Sequence, residues 1–357
     1  MPELVVIAEQ LLAPVPGGTG RYTGELLRAL AASAPPGWTV SSVVARHSDV
    51  SAAEIEGVGE PKVLPLPPRA LVAAWQLGLP WWPGGDAVHA TTPLAPARAP
   101  RGRTLSVTVH DTVPWTHPHT LTPRGVSWHQ AMISRAARHA DALVVPTRAV
   151  ADDLAELVKP VAPLHVIPHG VRAPEAYEEL DLPDRYILAI GTLEPRKGVC
   201  VLVDAVNRFD APPLVFAGPP GWGGIDPLRL ARERGLADGQ VRVLGKLTDA
   251  QLAATLRNAS VLAVPSLAEG FGLPLLEAMA AGVPVVHSDA PALAEVAGGA
   301  GVMVPRGDAA ALASALKEVV ISPDRVNTLR AAGLARAAEF SWERAARAVW
   351  ALHLRRE

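Results

Sequence analysis

Two carboxylates, Glu269 and Glu277, bracket a bend built from Gly270, Gly272 and Pro274 in the stretch PSLAEGFGLPLLEAMAAGVPVV, residues 265–286. The run SVLAVPS before it reads as a strand, LAEGFGL as a loop, and LLEAMAAG as a short helix stopped by Gly282. Pro274 fits the first helical position. Glu269 is then expected on the loop and Glu277 on the first turn of the helix. The N–H groups of Phe271, Gly272 and Leu273 are left over at the helix start, where they can meet an anion. Two carboxylates there can grip two sets of sugar hydroxyls, one at each end of that anion. The plainer alternative is a pair of helix-start acids favoured by the dipole.

Three other stretches carry groups able to do chemistry. GTLEPRKGV places Arg196 and Lys197 just past a strand end, beside Gly191 and Gly198. Such a pair is either a solvated surface couple or a phosphate contact. VTVHDTVPW puts His110 and Asp111 at the end of another strand, outside which ligands of parallel sheets bind. His117 and His119 follow closely, but their spacing matches no familiar metal-ligand pattern. VPGGTGRYTGELL, residues 15–27, follows the first strand and opens a helix. It is either an ordinary glycine turn or a loop whose backbone, at Gly18 above all, approaches an anion. The dinucleotide fingerprint fails there, because Thr23 stands where a third glycine belongs and the second strand ends in Arg46. A P-loop is absent, since Lys246 of GKL is followed by Leu247.

The elements that must position these groups alternate. Strand-like runs in the first half are LVVIAE, TVSSVVA, DAVHAT, TLSVTVH, ALVVPT and HVIPHG. In the second half they are YILAIGT, PLVFAG, VRVLG, SVLAVPS, VPVVHS and AGVMVP. Helix-like segments lie between most of them, at 21–33, 125–140, 226–233, 249–257 and 308–320. Continuous β-branched strands between helices indicate parallel sheets covered on both faces. The polar segment RAPEAYEELDLPDR, 172–185, breaks the rhythm and reads as a linker. The expected fold class is α/β, as two doubly wound Rossmann-like domains with a cleft between them. The expected domains are 1–172, 173–340 and a final helix, 341–357, with Ser341 as its N-cap.

Composition agrees. The 357 residues suit two domains, and 49% apolar against 19% charged residues supply large cores. A net charge of −2 gives no basic excess for nucleic acid. The single cysteine, Cys200, rules out an internal disulfide and fits a reducing, cytoplasmic setting. The opening MPELVVIAE lacks the plan of a signal peptide, and no uncharged apolar run reaches membrane-spanning length.

These residues together resemble retaining GT-B glycosyltransferases of glycosyltransferase family 4. The resemblance runs nearly end to end. It covers GGTGRY, His110–Asp111, ADALVVPTRAVADDL, VIPHGV, GTLEPRKG, LGKLTDAQLAATLRNASVLAVPSLAEGFGLPLLEAMAAGVPVV and FSWERAAR. It implies an acceptor-side first domain, a nucleotide-sugar-binding second domain and a last helix that crosses back onto the first. It implies that backbone at Gly18 touches the donor diphosphate, and that Arg196 and Lys197 neutralise it as it leaves. His110 would contact the transferred sugar near its 6-hydroxyl, and Glu269 would hold hydroxyls on the other side, with N–H groups of Phe271 and Gly272. Glu277 would bind the ribose, and backbone at Lys246–Leu247 the base. Three positions depart from the family pattern: Gly191–Thr192 where relatives have Gly-Arg, His169 for Asn, and Arg172 for Asp. Arg196 is the candidate to replace the missing arginine.

No D-x-D occurs, so the expectation is a metal-independent transfer without cofactor, the nucleotide sugar being substrate. GTLEPRKG looks most like mannosyltransferases using GDP-mannose; UDP-glucose, UDP-N-acetylglucosamine and a rhamnose donor stay open. The acceptor would be a glycan, lipid-linked or small-molecule hydroxyl. The stretch 71–85 holds three of the nine tryptophans. It is either core packing with a proline-ended loop or an apolar lip touching a lipid-linked acceptor or the inner membrane face. Rival classes are a nucleotide-sugar epimerase, a pyridoxal-phosphate phosphorylase, an NAD(P)-dependent oxidoreductase and a non-catalytic sugar-nucleotide sensor.

Overall fold

The computed structural model describes residues 1–79, 81–221 and 223–354. Pro80 of the tryptophan-rich stretch and the last three positions of the expected final helix lie outside the described residues. The chain divides into two compact units, Met1–Gly170 with Ser341–Glu357, and Val171–Phe340.

The first unit is built on a seven-stranded sheet. Its strands are β1 (Glu3–Ile7), β2 (Thr39–Val44), β3 (Lys62–Val63), β4 (Ala87–Ala90), β5 (Thr104–Thr108), β6 (Ala142–Val145) and β7 (Leu164–Val166). Their spatial order is β3-β2-β1-β4-β5-β6-β7, and every pairing is parallel. The second unit has β8 (Ile187–Ile190), β9 (Leu214–Ala217), β10 (Val241–Gly245), β11 (Val261–Val264), β12 (Val285–Ser288) and β13 (Val302–Val304), ordered β10-β9-β8-β11-β12-β13, again all parallel. Strands such as LVVI and VLAV are buried along their length because helices cover both sheet faces. The two-residue edge strand β3 was invisible to pattern reading: both its residues are exposed, so it carries no apolar run.

Each sheet has one point where the strand order reverses, between β1 and β4 and between β8 and β11. Loops leaving neighbouring strands at such a point diverge to opposite faces and leave a crevice. The glycine stretch follows β1, and the Arg196–Lys197 and Glu269 stretches follow β8 and β11. The topology therefore places the chemistry-bearing segments before any side chain is considered.

The polar segment 172–185 does not hang as a linker. It belongs to the second unit and is strapped onto it. Glu178 N–H donates to Ala250 O (3.1 Å), and the Arg257 guanidinium sits 4.0 Å over the Tyr177 ring while pairing with Glu179. The chain leaves the first unit at Gly170, where backbone runs against backbone. A Cβ built there would lie 2.1 Å from the Trp342 nitrogen, so no other residue fits.

The C-terminal helix, Trp342–Leu354, packs on the first unit. Trp350 Nε1 donates to Leu30 O (3.1 Å), and its indole meets Trp38 edge-on at 5.6 Å. His353 lies 2.8 Å from both Thr104 Oγ1 and Ser106 Oγ, and Ser106 in turn reaches His89 Nδ1 at 2.7 Å. A buried polar chain thus ties the last helix to β5 and β4. In the tryptophan-rich stretch, Trp75 is fully buried on the helix Pro68–Gln76 and donates to Trp81 O, whereas Leu77 and Leu79 face solvent. The indole of Trp75 serves packing; the outward apolar surface comes from the leucines.

Burial holds His353 down at about 4, and burial with the charges of His353 and His110 holds His89 at about 3, against an ordinary 6.5. Both bind a proton more readily when unfolded, so their contribution is full above pH 6.5 and is lost as pH falls toward those values. Each is expected to remove on the order of 2 kcal/mol of stability at pH 5. Urea unfolding at pH 7 and pH 5 should show that loss, and His353→Gln should show a smaller difference between the two pH values.

Candidate functional site

The loop leaving β8 ends in a 3-10 turn, Pro195–Lys197, closed by Gly198 in the left-handed region (φ 69). That conformation is required, and so is the missing side chain: a Cβ on Gly198 would meet Pro265 O at 2.2 Å. The loop leaving β11 therefore lies directly on this turn. Leu267 N–H donates to Arg196 O (2.8 Å), and the Arg196 guanidinium donates from Nη1 to Ala268 O (2.8 Å).

Across that contact the charged groups converge on one carboxylate. Lys197 Nζ lies 2.6 Å from Glu269 Oε1, and Arg196 Nη1 lies 3.3 Å from Glu269 Oε2. Ser266 Oγ donates to Glu269 Oε1 (2.8 Å). The other arm of Arg196, Nη2, reaches Glu194 Oε1 at 2.7 Å. The Glu269 side chain keeps 11% exposure, Arg196 17% and Lys197 22%, so this is not the solvated pair that adjacent cations usually form. Burial pushes the Glu269 carboxyl up, but the fields of Lys197 and Arg196 and the hydrogen bonds from Lys197 and Ser266 outweigh it and hold it at about 2. The cluster holds two cations and two carboxylates and is near neutral as it stands.

Sequence reading gave Arg196 and Lys197 to the donor diphosphate and Glu269 to hydroxyls of the sugar; the structure brings the three side chains into direct contact. It missed Glu194 and Ser266, although both stand in the stretches it singled out. The loops 191–194 and 265–272 carry no periodicity from which a side chain's direction could be read.

Past Glu269 the chain turns into the helix Leu273–Ala280, with Gly272 as its N-cap and Pro274 in its first turn. Glu277 is the fifth helical residue, not a first-turn one, because the helix opens at Leu273 one residue before the proline. A dipole-favoured first-turn acid is therefore not what Glu277 is. Phe271 is buried, its ring edge-on to Phe340 at 5.8 Å. Lys246 and Leu247 follow β10, at the same carboxyl edge of the sheet, just ahead of the capping box that Thr248 and Gln251 form.

In the first unit, Gly18 lies in the opening turn of the helix Gly17–Ala32, which begins at Gly17 rather than at Arg21 as the apolar spacing suggested. His110 follows β5. Its Nε2 is 2.8 Å from Thr91 O, and a carbonyl only accepts, so Nε2 carries the proton and Nδ1 is left as an acceptor in the neutral ring. Burial lowers the His110 pKa, partly offset by the Thr91 bond and by Asp111. Asp111 itself accepts from Val113 N–H (3.1 Å) and so caps the next turn. Under His110 lies Tyr22, ring centroids 4.8 Å apart and edge-on, with its hydroxyl 3.0 Å from Thr108 Oγ1. Tyr22 also meets His169, which stacks on Trp342. Thr23, the residue that breaks the dinucleotide fingerprint, lies 3.0 Å from Thr91 Oγ1 and so sits behind the His110 contact. Among the described residues no three His, Cys, Asp or Glu side chains form a group that could hold a metal ion, and His117 and His119 meet only as rings 6.0 Å apart.

The first unit thus presents a neutral hydrogen-bonding set and the second a charged one. Comparison with known proteins gives this a context. Residues 16–173 match the family model described as Glycosyltransferase Family 4, and residues 184–321 the one described as Glycosyl transferases group 1. The phosphatidyl-myo-inositol mannosyltransferase of Mycobacterium leprae is 32% identical over 92% of this chain and 90% of its own length. The O-antigen chain mannosyltransferase B of Escherichia coli is 39% identical, but over 44% of this chain and 42% of that protein. Among solved structures, the sucrose-phosphate synthase of Thermosynechococcus elongatus superposes with a TM-score of 0.77 at 22% identity, covering 99% of this chain and 98% of that one. Anabaena HepE, solved in complex with UDP and glucose, gives 0.72 at 17% identity over 98% and 99%. At these identities the likeness shows the two-domain GT-B fold.

The Glu269 pKa sits below its ordinary 4.5, so its contribution is present above pH 4.5 and is lost as pH falls toward 2. That contribution is on the order of 3 kcal/mol. Glu269→Gln should therefore be destabilised at pH 7 by about 2–3 kcal/mol. In chemical unfolding at pH 3 the gap to wild type should shrink to about half; an equal gap at both pH values would mean that the carboxylate is not held by its two cations.

Proposed function

The chain belongs to glycosyltransferase family 4, and from that premise we propose that it transfers mannose from GDP-mannose to a hydroxyl of a glycan, lipid-linked or small-molecule acceptor, with retention and without a divalent metal. The observation that carries the reading is the Lys197–Glu269–Arg196 cluster: a cationic couple and a carboxylate held together on adjoining loops at a switch point. Mannosyltransferase relatives of the chain support the choice of sugar.

The donor's diphosphate lies against the cationic couple and the helix start at Phe271–Leu273, whose backbone favours negative charge. Glu269 accepts from the sugar's hydroxyls, and His110 accepts at the 6-hydroxyl through Nδ1. Gly18 brings backbone close to the diphosphate, Glu277 binds the ribose, and Lys246–Leu247 border the base. The acceptor's oxygen attacks the anomeric carbon from the face the diphosphate leaves. The bond from that carbon to the phosphate oxygen breaks, and the bonding pair goes to the phosphate. The acceptor's proton passes to that departing oxygen, so atoms and charge balance without a protein base. Lys197 by contact, with the positive field of Arg196 behind it, stabilises the charge that grows on the leaving group, which is where a fixed electrostatic donor lowers a barrier most.

No cofactor is required in this scheme; the nucleotide sugar is substrate. Among the described residues no helix is long and apolar enough to cross a membrane. We place the reaction in the cytoplasm, with the solvent-facing Leu77 and Leu79 as a peripheral contact at the inner membrane face. Nucleic acid has no part in it.

A thermal-shift screen of GDP-mannose, UDP-glucose, UDP-N-acetylglucosamine and a nucleoside-diphosphate rhamnose should single out GDP-mannose by saturable stabilisation. Transfer should persist in excess EDTA, and Glu269→Ala or Lys197→Ala should lower turnover by about 100-fold or more. Saturation by none of the four donors would sink the donor reading; turnover without any acceptor would favour the epimerase.

A further inference from the structure

The two cations of the cluster are not equivalent. Arg196 is spent on protein. Its backbone carbonyl accepts from Leu267 N–H, Nη1 donates to Ala268 O and faces Glu269 Oε2, and Nη2 pairs with Glu194 Oε1. These contacts come from both sides of the seam between the turn 195–197 and the loop 265–269. Lys197 is different. Among the described residues Glu269 is the only group its ammonium meets, through one of three N–H donors. Its stem lies over Gly191, with Cε 3.6 Å from where a Cβ of that glycine would stand.

Resting on the reading of this site as a nucleotide-sugar pocket, we propose a division of labour within it. Arg196 is a positioning residue that rivets the Glu269 loop, Glu194 holds it in that task, and Lys197 is the cation that trades Glu269 for the anionic oxygens of the nucleoside diphosphate.

The geometry favours this over a shared phosphate grip. A guanidinium can bind a carbonyl and two carboxylates at once because its donors form a rigid planar fork; an ammonium is a single rotatable point charge. Pulling Arg196 onto a phosphate would break the Ala268 and Glu194 bonds and leave the Glu194 carboxylate, 18% exposed, without its cation. Pulling Lys197 away costs one contact, and Glu269 keeps Ser266 and Arg196. With Thr192 in the position where an arginine was expected, the trade falls to Lys197 alone.

The test uses the full chain and the variants Arg196→Gln, Arg196→Lys, Glu194→Gln and Lys197→Gln. Binding of GDP and UDP is measured by calorimetry, and amide exchange of segment 265–272 is measured without ligand. Lys197→Gln should weaken the bound nucleoside diphosphate by about 10-fold or more and leave exchange of the segment unchanged. Both Arg196 variants should leave that affinity within about 3-fold but speed exchange of the segment. With GDP-mannose they should lower kcat with little change in KM. Arg196→Lys should not rescue, because one ammonium cannot span Ala268 and Glu194 together, and Glu194→Gln should give a smaller exchange effect of the same sign. Loss of diphosphate affinity in Arg196→Gln equal to that in Lys197→Gln, or full rescue by Arg196→Lys, would overturn the division of labour while leaving the donor reading intact. Wild-type protein that binds neither GDP nor UDP would overturn the trade at Lys197 together with the donor reading, whatever the exchange data show.

Discussion

One carboxylate bound by two cations organises the second unit. Taken alone, Glu269 would be a poor choice for a site with so little solvent, since desolvation favours its neutral form. Lys197 and Arg196 reverse that preference, and the debt is mutual: without the carboxylate, two partly buried cations would face each other across the turn. The Arg196 pair also does mechanical duty. It closes the seam along which Gly198 admits the backbone of Pro265 and along which Leu267 N–H reaches Arg196 O. Charge and chain path are therefore one constraint, and a change at Gly198 would displace the cations as surely as a change at Glu269.

The same topological rule acts in the first unit with other chemistry. Loops leave β1 and β4 at the reversal of strand order, and the groups gathered there and beyond β5 are mostly hydroxyls, carbonyls and neutral rings, with the Asp111 carboxylate beside them. Thr91 O fixes the proton on His110 Nε2, Thr23 stands behind Thr91, and Tyr22 supports the His110 ring from below. Burial lowers the pKa of His89, His110, His169 and His353, which favours the neutral form of each ring. Hydroxyls, carbonyls and neutral rings form one set of groups, and the charged cluster of the second unit forms another. The C-terminal helix belongs to the first set, because His353 closes the polar chain through Ser106 to His89.

Most strands were legible because they are short apolar runs, several of them buried along nearly their whole length, as β1, β6 and β11 are, and burial on both faces writes itself into sequence as continuity. β3 was not, having only two residues, both exposed, and no apolar run. Helix ends were legible where a cap supplied them, as at Thr248, and shifted where none did, as at Gly17, which opens its helix without a side-chain cap. In the site, glycine and proline marked the bend at 270–274. What sequence could not show was direction. Arg196 and Lys197 are neighbours in the chain, yet one is locked into the protein and the other has donors to spare. Nothing in residue type distinguishes them; the difference arises from Ala268 and Glu194, which only the fold brings to the guanidinium.

A cluster that is nearly neutral without ligand imposes a condition on what binds. An anion approaching it meets little net field, so a simple anion gains little over water. To win Lys197 it must replace a contact of 2.6 Å with the Glu269 carboxylate, and that carboxylate, kept ionised by Arg196, then needs new donors. Ser266 Oγ already donates to Oε1 and stays. Sugar hydroxyls next to a diphosphate supply the new ones, at the oxygen the ammonium has left. In the exchange proposed above, the phosphate takes the cation and the sugar takes the carboxylate that the cation released. A nucleoside diphosphate alone can make the first half of that trade, because Glu269 keeps Ser266 and Arg196. Sugar hydroxyls at the vacated oxygen then add to a contact already made.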